Sequence, residues 1–241
     1  MYKYILGGDK VKLYELKLKV YLLKNISILK STESIAELID KSFTKTEEMK
    51  NFHRDRKFKF YTFNSFYPLE TVDKEYKAGK IYTVLLRTVD EKLVNYFKNH
   101  LANEYTDRIK ALTIETRIIP RKHIDKLYSL TPLVARFEEG YWRGYYSLSE
   151  FEKRMKINLI KKYQEFNKVK LDENIELFTH IEFNNEKPIL IPIKNINLLG
   201  DKITLQVASN EVAQNLSYFL LGVGYGELNA RGCGFLNYKY L

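Results

Sequence analysis

The sequence has 241 residues, a length that suits two domains of about 120 residues, each with its own hydrophobic core. Lysine and arginine outnumber aspartate and glutamate by 40 to 30, and the resulting net charge of +10 favours a polyanionic partner. Nineteen tyrosines and fourteen phenylalanines accompany this charge, and aromatic rings beside cations suit single-stranded RNA. The single cysteine, Cys233, excludes an internal disulfide and any site built from several cysteines.

Residues 1 to 10 are too polar and too short for a signal peptide. No apolar run approaches the roughly twenty residues that a membrane-spanning helix needs. One cysteine is also compatible with a reducing compartment. Together these features predict a soluble, cytoplasmic protein that does not contact a membrane.

The first half of the chain predicts the element order β-α-β-β-α-β. Residues 15–22 alternate polar and apolar side chains, which is typical of a strand with one buried face. Ser34 and Glu37 have the spacing of a capping box near the start of the first helix. The other patterns predict a helix over residues 32–43, strands over 58–63 and 80–87, a helix from Asp90, and a strand over 111–115.

The second half follows a polar break at residues 120–122, which we interpret as a linker, and has nearly the same element order. Ser147 and Glu150 cap a long helix whose outer face is predicted to be basic, with Lys153, Arg154, Lys156, Lys161 and Lys162. Strands are predicted over 127–137, 175–183, 189–193, 202–207 and 235–241, and a helix over 209–221. The sequence therefore predicts an α+β fold of tandem ferredoxin-like (RRM-like, βαββαβ) domains, 1–120 and 121–241, with a C-terminal glycine-rich loop.

Five of the eleven glycines fall within residues 222–234. Gly222 is predicted to end the preceding helix as its C-cap, and two G-x-G units then begin at Gly224 and Gly232. We call residues 224–234 the glycine loop. It follows a helix and precedes a strand, which argues against a dinucleotide fingerprint, and it lacks the Gly-Lys-Ser/Thr of a Walker loop. A turn that only lets the last strand join its sheet is the simplest alternative.

A helix followed by G-h-G-x5-G-h-G, with Tyr225 and Cys233 as h and Phe235 next, resembles the glycine-rich signature of CRISPR-associated endoribonucleases. These enzymes cut repeat RNA and belong to the RAMP superfamily. Residues 130–134 and 158–163 are similar to less specific motifs of that family, whose members have tandem ferredoxin-like domains. The resemblance implies that CRISPR repeat RNA, as pre-crRNA or crRNA, is the partner of a monomer or homodimer. Other subunits of an effector complex are further partners that it suggests.

His53 differs from the other three histidines because four cations lie in the six residues that follow it. His100 and His180 fall in apolar patterns and are predicted to be structural, whereas His123 lies in the predicted linker. The alternative interpretation of His53 is a helix C-terminal histidine inside a solvated run of charges.

In the resembling family, a histidine at this junction is commonly catalytic, and a lysine or tyrosine on the following strand assists it. The resemblance therefore implies His53 as the first catalytic residue, then Lys59 and Tyr61. Lys59 and Tyr61 are predicted to share one face of a strand, because side chains two residues apart point the same way. Some family members also use a tyrosine from the first helix, and residues 32–43 contain none.

RNA contacts are predicted from two groups of residues. The phosphate-binding cations are Arg54, Arg56, Lys57, Lys161 and Arg231, and the backbone N–H donors are Gly224, Gly226, Gly232 and Gly234. Residues 141–146 hold four aromatic side chains that either stack on bases or form a packed corner. No tight cluster of acidic residues indicates a metal site, so neither a metal nor another cofactor is predicted.

The first hypothesis is a metal-independent endoribonuclease that leaves a 2′,3′-cyclic phosphate and a 5′-hydroxyl. The alternative is a catalytically inactive RAMP subunit that binds RNA in an effector complex. A basic ribosomal or ribonucleoprotein scaffold is a more distant third.

Overall fold

The computed structural model describes residues 11–241, so the expectation for residues 1–10 lies outside the described residues. The first half contains the strands β1 (Tyr14–Leu22), β2 (Ile26–Ser27), β3 (Tyr61–Phe63), β4 (Glu75–Tyr76), β5 (Ile81–Thr88) and β6 (Ile109–Ile118). Its helices are α1 (Ser31–Ser42), α2 (Glu47–Arg54) and α3 (Glu91–His100). In β1, the apolar positions of the predicted alternation are buried, and Lys17 and Lys19 are only half-buried.

The second half contains the strands β7 (Ile124–Ser129), β8 (Phe178–Phe183), β9 (Ile189–Ile193), β10 (Ile196–Gly200), β11 (Ile203–Val207) and β12 (Leu236–Tyr240). Its helices are α4 (Leu148–Asn167) and α5 (Glu211–Val223). The capping box of α4 is confirmed, because the Ser147 side chain accepts from the Glu150 amide and the Glu150 carboxylate accepts from the Ser147 amide.

Each half has one four-stranded antiparallel sheet, in the order β3-β5-β1-β6 and β12-β7-β11-β8. If the main strands of each half are numbered from one to four, both sheets have the order 4-1-3-2. This repeated order confirms the predicted α+β fold of tandem ferredoxin-like domains. Two short pairs, β2 with β4 and the hairpin of β9 with β10, stand outside the main sheets.

The two halves pack against each other. Leu13, Val89 and Ile119 belong to the hydrophobic core that α4 and α5 cover in the second half. Gly222 lies inside α5, and a side chain there would collide with Val89 and Leu13. The division of domains at residue 120 stays a prediction.

Four local predictions are wrong. The first strand of the second half was predicted over residues 127–137, but β7 ends at Ser129. Ser34 does not cap α1, because the helix begins at Ser31 and the Ser34 side chain is buried within it. The helix C-cap is Gly224, with φ of 76°, rather than Gly222. The strand predicted over residues 58–63 contains only Tyr61–Phe63, since Phe60 has φ of 51°, in the left-handed region that breaks a strand.

Candidate active site

A cleft of about 480 Å³ lies where the first half of the chain faces the glycine loop and α4. It contains all three predicted catalytic residues and part of the predicted RNA-binding set. Polar side chains on its walls include Asp40, His53, Lys59, Tyr61, Lys162 and Arg231. Residues that are far apart in the sequence therefore meet around a single space.

His53 lies in the last turn of α2, so it is a helix C-terminal histidine, as the alternative interpretation of this residue proposed. The helix begins at Thr46, whose side chain accepts a hydrogen bond from the Met49 amide. The His53 ring packs beside Phe43 with ring centroids 6.0 Å apart, and its side chain is 36% exposed. The imidazole therefore packs against Phe43 on one side and is exposed to the cleft on the other.

Asp40 of α1 contacts both the predicted catalytic histidine and the predicted RNA-binding arginine of the glycine loop. Its Oδ1 lies 3.4 Å from Nδ1 of His53, and its Oδ2 accepts from the Arg231 guanidinium of the glycine loop. Sequence reasoning missed Asp40, because α1 carries several acidic residues and no local pattern distinguishes this one. Asp40 could have been recognised only by lying on the face of α1 that contacts α2, and α2 itself was not predicted.

Lys59 does not share a strand face with Tyr61, so that prediction is wrong. The turn at Phe60 directs Lys59 back to α2, where its ammonium donates to the carbonyl oxygens of Phe52 and of Asp55, the latter at 2.6 Å. Burial lowers the pKa of Lys59, opposed by the nearby Asp55 carboxylate. Lys59 therefore stabilises the C-terminal end of α2, the helix that contains His53.

Tyr61 lies at the back of the cleft and is 2% exposed. Burial raises the pKa of its phenol far above the ordinary value of 10.0, and the negative charge of Asp40 raises it further. The phenol therefore stays protonated near neutral pH. In that form it can donate a hydrogen bond, but it cannot start a reaction as a base.

The glycine loop needs its glycines for packing. All four glycines of the two G-x-G units have positive φ. A Cβ built on Gly234 would lie 2.0 Å from the carbonyl oxygen of Tyr225, a separation that no side chain tolerates. The loop is therefore folded tightly on itself.

Three of the four loop glycines also donate their amides within the chain. The N–H groups of Gly224, Gly232 and Gly234 bond the carbonyl oxygens of Leu220 (2.8 Å), Asn229 (3.0 Å) and Pro132 (2.8 Å). Of the four, only Gly226 lies on the wall of the cleft. Direct contact of these glycines with RNA stays a prediction.

The family described as "CRISPR associated protein Cas6, C-terminal" matches residues 114–238, a little over half of the chain. The chain belongs to the Cas6 family. This confirms the resemblance that the glycine loop indicated, and the family supports CRISPR repeat RNA processing or RAMP-type RNA binding. No curated protein matches the sequence.

Solved structures agree with the Cas6 fold along most of the chain. One titled "CRISPR associated protein Cas6" has a TM-score of 0.67 at 19% identity, covering 94% of this chain and 99% of its own. A RAMP protein that binds different RNA substrates has a TM-score of 0.72 at 18% identity, with coverage of 94% and 99%. A Cas6-related protein from Pyrococcus furiosus has a TM-score of 0.69 at 17% identity, with coverage of 94% and 98%. At these identities the likeness establishes the fold.

The other predicted RNA-binding cations of this Cas6-family chain occupy different places. Arg56 and Lys57 lie on the wall of the cleft. Arg54 and Lys161 are exposed, but neither lines it. Arg136 also lines the cleft, although sequence analysis did not single it out. Arg136 and Arg154 both bind the Glu227 carboxylate, with N–O distances of 2.6 and 2.8 Å, so two guanidinium groups lie side by side on the cleft wall.

The aromatic residues at 141–146 mostly form a packed corner. Trp142 is buried, stacks on Phe151 with centroids 4.6 Å apart, and shares the Asp201 carboxylate with Tyr141. Tyr145 is exposed. Within residues 11–241, no group of three or more metal-ligating side chains is placed to hold a metal, and no helix is long and apolar enough to cross a membrane.

Lys162 was predicted on the basic outer face of α4, and that prediction is wrong. It is 3% exposed, and its ammonium donates to the carbonyl oxygens of Gly224 (3.0 Å) and Gly226 (2.7 Å) and to Oδ1 of Asn229 (2.6 Å). The glycine loop therefore surrounds one buried lysine amino group, which the binary pattern of the helix did not indicate.

Burial lowers the pKa of Lys162 from 10.5 to about 7, opposed by the charge of Glu227. Between these two pH values, Lys162 is protonated in the unfolded chain and neutral in the folded protein. The free energy of unfolding therefore rises with pH over this interval, is highest above pH 10.5, and falls again as the pH is lowered to about 7. We expect the free energy of unfolding of the wild type to rise relative to Lys162→Met between pH 7 and 10. Urea unfolding of both proteins across this range measures the difference. A constant difference would show that Lys162 ionises as an ordinary lysine.

Proposed function

We propose that this Cas6-family chain is a metal-independent endoribonuclease that cleaves CRISPR precursor RNA within its repeats to release crRNAs. The observation that carries the proposal is the meeting of His53 with Arg231 of the glycine loop across the Asp40 carboxylate, on the wall of one cleft. Family membership supplies the substrate class, and this geometry supplies the groups for the reaction.

The reaction is an internal transfer at phosphorus. A base takes the proton of the ribose 2′-OH, O2′ forms a bond to phosphorus, and the bond from phosphorus to O5′ breaks. An acid gives a proton to O5′, and the products are a 2′,3′-cyclic phosphate and a 5′-hydroxyl. His53 performs one of the two proton transfers, and a nearby cation stabilises the charge on the phosphorus oxygens.

Lys59 and Tyr61 are the proposed second and third catalytic residues. Both lie on the wall of the cleft near His53. The Tyr61 phenol is suited to donate a hydrogen bond to the reacting phosphate, because its raised pKa keeps it protonated. The Lys59 ammonium holds the end of α2 and adds positive charge next to the reacting phosphate.

RNA phosphates are proposed to follow the positive side chains in and around the cleft. These are Arg54 at the end of α2, Arg56 and Lys57 just after it, Lys161 on α4, and Arg231 in the glycine loop. Arg136 and Arg154 extend this surface at the opening. The glycines Gly224, Gly226, Gly232 and Gly234 contribute by giving the loop the shape that presents Arg231.

The test is incubation of the protein with its cognate repeat RNA in EDTA. We expect one cut per repeat, a product that ends in a 2′,3′-cyclic phosphate, and no cut when the single nucleotide before the scissile phosphate carries 2′-deoxyribose. The deoxy substitution is a matched control because it removes the nucleophile and leaves the phosphates in place. Tight binding without a cut would instead support the catalytically inactive RAMP subunit.

A further inference from the structure

Asp40 is placed differently from the other carboxylate on the wall of the cleft. Among the described residues that line this space, the acids are Asp40 and Glu227, and Glu227 is bound by Arg136 and Arg154. Asp40 therefore faces His53 and Arg231 without competition from a second carboxylate. It is half-buried on α1, a rigid helix whose neighbouring residues Leu38 and Ile39 are fully buried.

The contact with His53 bears on the orientation of the imidazole. Oδ1 of Asp40 lies 3.4 Å from Nδ1, so a proton on Nδ1 is favoured in the neutral ring and Nε2 is left for the substrate. Packing beside Phe43 restrains the ring but does not select its tautomer, so the tautomer depends on the partner at Nδ1. A carboxylate that orients a catalytic imidazole in this way affects the rate without touching the substrate.

The contact with Arg231 fixes a second element through the other oxygen of the same carboxylate. Arg231 lies in a short 3-10 turn between the two G-x-G units, and its position depends on the glycine loop. Because Asp40 binds both groups, a shift of the loop relative to α2 would break one of the two contacts. One side chain thus holds the imidazole and the guanidinium at a set distance.

We infer that Asp40 is a positioning residue of the proposed cleavage site, orienting the His53 ring and holding Arg231 beside it. The inference rests on the proposed function, since it assigns a role in the same reaction. Sequence reasoning assigned no role to this residue.

The experiment compares Asp40→Asn and Asp40→Ala with the wild type in single-turnover cleavage of repeat RNA at saturating protein. We expect the rate to fall by about tenfold or more in Asp40→Ala, because the imidazole loses its orientation. The loss should be smaller in Asp40→Asn, whose amide oxygen can accept a hydrogen bond from Nδ1. RNA affinity should change by less than about threefold, because Arg231 remains available to phosphate. Glu37→Gln, an exposed carboxylate one turn earlier on α1, is the matched control.

A nitrogen-detected NMR spectrum of the His53 ring separates positioning from a purely structural role. We expect the neutral ring to carry its proton on Nδ1 in the wild type and to shift toward the Nε2 tautomer in Asp40→Ala. A wild-type rate in Asp40→Ala, or a rate loss that follows the melting temperature with an unchanged tautomer, would overturn the inference. Failure of the proposed function is distinguishable, because then the wild type itself would bind repeat RNA without cutting it.

Discussion

Replacing His53 by alanine is expected to slow RNA cleavage by roughly a hundredfold or more, the range for the loss of a positioned acid or base. The ring is partly exposed on the wall of the cleft and has Asp40 at Nδ1, an arrangement suited to proton transfer by Nε2. RNA affinity should change little, because the surrounding cations remain. The single-turnover rate with protein in excess is the quantity to measure.

His180→Ala is the control for this experiment, because His180 is exposed on the edge strand β8 and does not line the cleft. It should cleave at the wild-type rate. If His53→Ala also retained that rate, His53 would have no part in the chemistry. A loss of RNA affinity equal to the loss of rate would instead assign His53 to binding.

The largest effect on stability is expected from Arg87→Ala. Arg87 is 2% exposed and binds the fully buried Glu15, with an N–O distance of 2.8 Å. Its guanidinium also donates to the carbonyl oxygen of Leu236 at 2.7 Å and lies over the ring of Phe235, with its central carbon 4.6 Å from the centroid. Arg87 therefore links the sheet of the first half to β12 in the second.

Removing one partner of a buried ion pair leaves the other charge uncompensated, so Arg87→Ala should lower the free energy of unfolding by about 3–5 kcal/mol. Urea unfolding measures this loss. Arg117→Ala is the matched control, because Arg117 binds the same carboxylate from an exposed position and should cost about 1 kcal/mol or less. Equal losses in the two variants would show that burial does not determine the strength of this ion pair.

The sequence predicted most elements whose patterns are local. The alternation in β1, the capping box of α4, and the helix capped by Asp90 were all confirmed. These features depend on neighbouring residues, so a pattern of a few positions contains them. The glycine loop likewise indicated the family, because its spacing is specific and contiguous.

Predictions that depended on the direction of a side chain were less successful. Lys59 was placed beside Tyr61 on a strand, but the backbone turns at Phe60. Lys162 was placed in solvent, although the glycine loop supplies three oxygen atoms to its ammonium. In both cases the oxygen atoms that accept from the lysine lie outside the strand or helix pattern from which its direction was predicted.

The α+β class, the two βαββαβ units, the family and the candidate His53 could all be predicted from the amino-acid sequence. The contacts of His53 and Arg231 with Asp40 could be identified only in the folded protein. Asp40 and Arg231 are 191 residues apart, and their contact depends on the packing of α1 and α2 against a loop from the other half. Periodicity and spacing describe how a segment folds, whereas a contact at this separation follows from the way the two sheets and their helices are assembled.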